Sequence, residues 1–62
     1  MKYKVQDSQA SNVFAVFDNL AEAQKELRDY EELDIKNGEY EEGWYEIAVT
    51  EDDGELIEII KN

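Results

Sequence analysis

The chain has 62 residues, of which 42% are hydrophobic and 37% charged, and its 17 acidic against 6 basic residues give a net charge of −11. Cysteine and histidine are absent, which excludes a disulfide scaffold and a zinc site built on either residue. Direct nucleic-acid binding is disfavoured because it requires clustered basic side chains. We expect one small cytoplasmic domain over residues 1–62, because no apolar run reaches the ~18 residues of a membrane span and no signal peptide is recognisable.

Two strands open the chain. Residues 3–6 alternate apolar and polar side chains, which predicts a half-buried strand. Residues 7–12 are rich in turn-forming side chains, and residues 13–17 are all apolar and, apart from Ala15, β-branched or aromatic. An apolar pattern on both faces is typical of a central strand, so residues 13–17 are expected in the middle of the sheet and in a hairpin with residues 3–6.

A helix is predicted over residues 19–37. Asn19 and Glu22 have the spacing of a capping box, and Gly38 follows the last helical residues. One apolar stripe runs along the helix at spacings of three and four residues and extends to its last turns, comprising Leu20, Ala23, Leu27, Tyr30 and Leu33.

A second hairpin is predicted after the helix. Residues 44–50 alternate again, residues 51–54 contain an Asp-Gly turn signal, and residues 55–60 form the last strand. The order β-β-α-β-β predicts an α+β fold, a small antiparallel sheet with one amphipathic helix packed on one face.

The face of the sheet away from the helix is the expected site of self-association. Alternation places Trp44, Leu56 and Ile60 on that face, where a partner copy or a neighbouring loop would cover them. A chain this small, without disulfides, gains stability by association, so a homodimer is expected.

We expect neither catalysis nor a bound cofactor. Acid–base and nucleophilic chemistry use tuned His, Cys, Lys, Glu or Ser side chains beside a partner, and no such arrangement is recognisable. Glu51, Asp53 and Glu55 could offer oxygens to calcium, but they do not follow the spacing of a calcium loop, and a solvated hairpin turn is the preferred interpretation.

The negative charge lies in the second half of the chain. Residues 1–28 contain four acids and four bases, whereas residues 29–58 contain thirteen acids and only Lys36 as a base, a net charge of −12. Several of these acids occupy the last helical turns, where the helix dipole disfavours them. Either a functional surface or a requirement for solubility explains that placement.

A dense anionic surface with aromatic side chains imitates DNA and suits a protein that grips DNA in a basic groove. The carboxylates steer association and the aromatic rings provide contact area. The expected partner-binding residues are Glu31, Glu32, Asp34, Glu39, Tyr40, Glu41, Glu42, Trp44, Glu51, Asp52, Asp53 and Glu55.

Residues 13–23 (VFAVFDNLAEA), with NGEY at 37–40 and WYEI at 44–47, resemble small acidic proteins encoded by bacteriophages. The resemblance spans residues 3–49 and consists of a cap, an apolar stripe and a turn. It implies a bacterial host cell and an anti-defence role of the anti-CRISPR or anti-restriction type. It transfers no catalytic residue.

Two hypotheses follow. The first is a non-enzymatic phage inhibitor that binds a host defence or DNA-processing protein through a DNA-mimicking surface. The second is a homo-oligomeric interaction or regulatory module without nucleic-acid mimicry. Neither involves a membrane.

Overall fold

The fold is a four-stranded antiparallel sheet with one helix on one face, seen in a computed structural model that describes residues 1–61. The predicted α+β class and the β-β-α-β-β order are confirmed. The strands lie in the order β2-β1-β3-β4 across the sheet. The elements are β1 (Lys2–Asp7), β2 (Val13–Phe17), α1 (Leu20–Lys36), β3 (Tyr45–Thr50) and β4 (Leu56–Lys61).

Both ends of α1 are capped as the sequence predicts. The Asn19 side chain accepts a hydrogen bond of 2.8 Å from the backbone N–H of Glu22. At the other end, the N–H groups of Gly38 and Glu39 donate to the carbonyls of Ile35 (3.1 Å) and Asp34 (2.7 Å). This pair of bonds is a Schellman motif, which requires a left-handed residue, and Gly38 supplies it with φ of +73°.

The core lies between α1 and the two central strands. Leu27 is 2% exposed, and it packs with Val5, Ile47 and Val49, which are also almost fully buried. Val5 of β1 is directly opposite Ile47 of β3 in the sheet register, so the two side chains share the helix-facing side. The cluster is small, in keeping with the length of the chain.

The prediction that residues 13–17 form a central strand is wrong. Within residues 1–61 β2 pairs with β1 alone and forms one edge of the sheet, whereas β1 and β3 are the central strands. Val13 and Val16 lie on the uncovered face and are 48% and 51% exposed. A β-bulge opposite Val5 and Gln6 brings one extra residue of β2 to the helix side. The strand is apolar on both faces although it lies at the edge, so its residue pattern alone does not fix its position in the sheet.

The last turns of α1 extend past the sheet. A helix of 17 residues is about 25 Å long, whereas a strand of six residues spans about 20 Å. Leu33, expected in the buried stripe, is 54% exposed, and Ile35 is 60% exposed. No helix within residues 1–61 has the length and apolar character needed to cross a membrane.

Candidate partner-binding surfaces

The acidic candidates form two separate groups at opposite ends of the sheet. β3 starts next to the C-terminal end of α1 and ends at the β3–β4 turn, so β3 lies between the groups. The first, which we call the connector cluster, lies on the last turns of α1 and the segment after it and comprises Glu31, Glu32, Asp34, Glu39, Glu41 and Glu42. The second, the turn cluster, comprises Glu51, Asp52, Asp53 and Glu55.

Half of the turn cluster already has partners within the chain. Asp52 forms an ion pair of 3.0 Å with the amino group of Met1. Asp53 Oδ1 accepts a hydrogen bond of 2.9 Å from the backbone N–H of Glu55, which shapes the turn. Within residues 1–61, no group of three or more carboxylates is arranged to hold a metal ion.

The connector cluster has more carboxylates available for a partner. Glu32, Glu39, Glu41 and Glu42 are exposed, and their side chains make no hydrogen bond or ion pair within residues 1–61. Asp34 differs from them: it is half-buried, and its Oδ2 accepts a bond of 2.7 Å from the Tyr45 hydroxyl. Asp34 therefore has a structural role in joining α1 to β3.

Ser8 holds the segment between α1 and β3 against the first hairpin. The Ser8 hydroxyl donates to the Gly43 carbonyl and its backbone N–H donates to the Trp44 carbonyl, both at 2.7 Å. A turn precedes this contact, in which the Trp44 N–H donates to the Glu41 carbonyl and Gly43 takes a φ of +76°. The backbone bearing Glu41 and Glu42 is therefore held in one conformation.

Three aromatic rings pack together at the same end of the molecule. The ring of Phe14 lies 5.6 Å from Tyr30 and 5.8 Å from Tyr45, and the two tyrosine rings are stacked at 5.6 Å. Phe14 is 44% exposed, so one side of this group is open to solvent. The sequence did not single out Phe14 or Tyr30 as surface candidates, because only the β2 bulge brings Phe14 to this position.

The other aromatic candidates divide between surface and core. Tyr40 is 43% exposed, whereas Trp44 is half-buried against the core cluster. Tyr45 is buried, and its burial together with the hydrogen bond to Asp34 raises the pKa of the Tyr45 hydroxyl to about 12.

The structure does not bring Trp44, Leu56 and Ile60 onto one surface. Ile60 lies opposite Ile47 and, like Trp44, packs against the core cluster. Leu56 lies opposite Thr50 on the other face and is 57% exposed. A bulge in β4 opposite Val49 and Thr50 breaks the alternation from which a common face was expected.

A network of buried polar side chains lies on the sheet face away from the helix. Gln6 Nε2 donates a hydrogen bond of 2.6 Å to Glu46 Oε2, and Lys61 Nζ lies 3.3 Å from Glu46 Oε1. The side chain of Glu46 is only 9% exposed, so both contacts compensate a carboxylate that has lost most of its water.

Asp7 and Asp18 have lowered pKa values for local reasons. The backbone N–H of Ala10 lowers the pKa of Asp7 most, and those of Asn12 and Gln9 add to it, while burial opposes the shift. The side-chain hydrogen bond from Lys2, followed by its charge, lowers the pKa of Asp18. Both carboxylates serve the fold: Asp7 closes the β1–β2 loop and Asp18 precedes α1.

No protein-family model matches the chain, and comparisons with curated proteins and with solved structures give no match either. Function is therefore inferred from the surface of the molecule.

Proposed function

We propose that the protein is a non-enzymatic anti-defence inhibitor that acts in the cytoplasm of a bacterial host. Its connector cluster binds the basic nucleic-acid groove of a host defence or DNA-processing protein and mimics the DNA that the groove normally holds. The observation that supports this proposal is the group of exposed, unpaired carboxylates Glu32, Glu39, Glu41 and Glu42, of which the last two lie on backbone held by Ser8.

The connector cluster combines charge with apolar contact area. Leu33, Ile35 and Tyr40 lie on the same short stretch of chain and are 54%, 60% and 43% exposed. Apolar side chains among carboxylates suit a protein partner, since the charges steer association and the apolar groups are desolvated on contact. A surface required only for solubility would not expose large apolar side chains beside its acids.

The connector cluster is also better suited to this role than the turn cluster. The amino group of Met1 partly neutralises the turn cluster at Asp52, and Asp53 is committed to the turn. The free carboxylates of the connector cluster can exchange water for lysine or arginine without breaking a contact inside the protein. We therefore expect the connector cluster to dominate binding and the turn cluster to contribute at longer range.

Affinity capture from a bacterial lysate, at about 50 mM and about 400 mM salt, tests the proposal. A nuclease, helicase or other DNA-binding protein that is retained at low salt and lost at high salt is the expected result. A partner retained equally at both salt concentrations, or partners without a basic nucleic-acid site, would contradict the DNA-mimicking mechanism.

A pair of charge-reversed variants localises the contact. The double variant Glu41→Lys with Glu42→Lys should weaken binding by about tenfold or more, because each reversal turns an attraction into a repulsion. The matched control, Glu51→Lys with Glu55→Lys, changes the net charge equally at the turn cluster and should weaken binding less. Equal effects of the two double variants would show that only total charge matters.

A further inference from the structure

We propose that β4 is a self-association edge, along which two copies of the chain pair their β4 strands antiparallel and join their sheets into one. This inference goes beyond the proposed function and concerns a different surface. It depends on three features of β4: its position in the sheet, its exposed aliphatic side chains, and the opposite charges at its two ends.

β4 is an edge strand, and no other strand within residues 1–61 pairs with its outer side. It pairs with β3 on one side only, so the backbone N–H and C=O groups on its other side face outward. The helix backbone lies close to β1, β2 and β3 but not to β4, of which Ile60 packs against the core cluster. Leu56, Ile57 and Ile59 are 57%, 43% and 38% exposed, and such an edge is a ready template for another strand.

The opposite edge of the sheet is a poorer candidate. β2 has five residues against six in β4, and its regular pairing with β1 extends over only Ala15, Val16 and Phe17. The helix also covers β2 on one face. In β4, by contrast, Glu58 to Lys61 pair with β3 without interruption.

The charges around β4 indicate a second copy in antiparallel orientation. The turn cluster lies at the start of β4 and Lys61 at its end. We centre the antiparallel pair on Ile59, because a centre at Glu58 would set the two Glu58 side chains directly opposite each other. Lys61 of each copy, which is 62% exposed although it also contacts Glu46 of its own chain, then lies opposite Ile57 and within two residues of Glu55 in the other copy. Parallel pairing would instead place the two turn clusters together. Between these ends β4 contains only one charged residue, Glu58, so two chains of net charge −11 can meet there with little repulsion.

Sedimentation equilibrium over a range of protein concentrations tests the inference. We expect the wild-type chain to form a dimer and Ile59→Lys to remain a monomer, since the new charge would lie in the apolar middle of the paired strands. The matched control is Val16→Lys, because Val16 is an exposed β-branched residue on the other edge strand. This variant should dimerise like the wild type, and circular dichroism should show that both variants are folded.

Two results would overturn the inference. A wild-type chain that remains a monomer at about 1 mM would do so. The dissociation constant of any dimer would then lie above about 1 mM, which is too weak for a specific interface. Loss of the dimer in Val16→Lys with retention in Ile59→Lys would assign the interface to β2 instead. Neither result bears on the proposed function, which is read from capture of the partner through the connector cluster.

Single cysteines introduced into this cysteine-free chain test the orientation. In an antiparallel pair, residue 59 of one copy lies near residue 59 of the other, and Ile59→Cys should form a disulfide-linked dimer on oxidation. Leu56→Cys should not, because its two copies would be about 20 Å apart, well beyond the ~7 Å that a disulfide allows between Cα atoms. Efficient cross-linking at both positions would indicate parallel pairing and contradict the proposal.

Discussion

The Tyr45 hydroxyl donates a hydrogen bond of 2.7 Å to Asp34 Oδ2, and this contact joins the first residue of β3 to the last turns of α1. The ring of Tyr45 is stacked on Tyr30 of the same helix. The end of α1 that extends past the sheet is therefore fixed by one aromatic contact and one polar contact, and the connector cluster begins from this fixed point.

Tyr45→Phe should lower the free energy of unfolding by about 1 kcal/mol, because it removes the hydrogen bond to Asp34 but retains the stacked ring. For a domain of this size, that loss lowers the melting temperature by about 4–8 °C. Tyr40→Phe is the matched control, since Tyr40 is exposed and its loss of a hydroxyl should leave the melting temperature unchanged.

Because of the same tyrosine, the stability of the folded protein should fall in strong alkali. The pKa of Tyr45 rises from 10.0 to about 12 on folding, so its contribution to stability is complete below pH 10 and is lost as the pH rises through 12. The tyrosinate absorbance of the wild type minus that of Tyr45→Phe should titrate near pH 12. A difference that titrates near pH 10 would contradict the buried, hydrogen-bonded environment.

Gln6→Ala should destabilise the protein by about 1–2 kcal/mol, because it leaves the buried Glu46 carboxylate without its amide donor. Urea unfolding monitored by tryptophan fluorescence measures the loss. Gln9→Ala removes the same side chain from an exposed position in the β1–β2 loop and should cost much less. Equal losses would mean that the contact between Gln6 and Glu46 contributes nothing.

Thr50→Val should stabilise the protein by about 1 kcal/mol, since it replaces an unsatisfied buried hydroxyl with a methyl group. Thr50 is 5% exposed, and its Oγ1 has no hydrogen-bond partner in the part of the chain that the structure describes. Thr50→Ser keeps the hydroxyl and loses the methyl group, so it should be less stable than the wild type. If the valine variant melts at a lower temperature, the hydroxyl has a partner in solution.

Asp7→Asn should destabilise the protein at neutral pH but not in acid. Three backbone N–H groups of the β1–β2 loop hold the pKa of Asp7 below 3.8, so its stabilisation is present above that pH and is lost as the pH falls through the lowered pKa. The melting temperatures of wild type and variant should differ at pH 7 and converge in strong acid. A difference that persists unchanged in acid would exclude the charge of Asp7 as its source.

Local signals in the sequence were sufficient to predict the elements and their order. Asn19, Gly38 and the Asp-Gly turn act over a few residues, and the structure confirms each of them. The burial of Val5, Leu27 and Ile47 follows from the periodicity of their segments, because one face of each element must meet the core.

Long-range features could not be predicted in the same way. The bulges in β2 and β4 each shift the alternation by one residue, which brings Phe14 to the helix side and moves Leu56 away from Ile60. The overhang of α1 exposes Leu33, and it depends on the length of the sheet rather than on the pattern of the helix. The two acidic clusters are neighbours in sequence but are separated by the strand between them.

That separation holds the two acidic clusters at a fixed distance from each other. The six residues of β3, about 20 Å long, lie between the two clusters, and this length equals about six base-pair steps of duplex DNA. A groove that grips a shorter length of DNA can contact one cluster at a time, whereas a longer groove can contact both. Under the proposed DNA mimicry, the length of the DNA footprint would therefore determine which of several partners of equal positive charge binds most tightly.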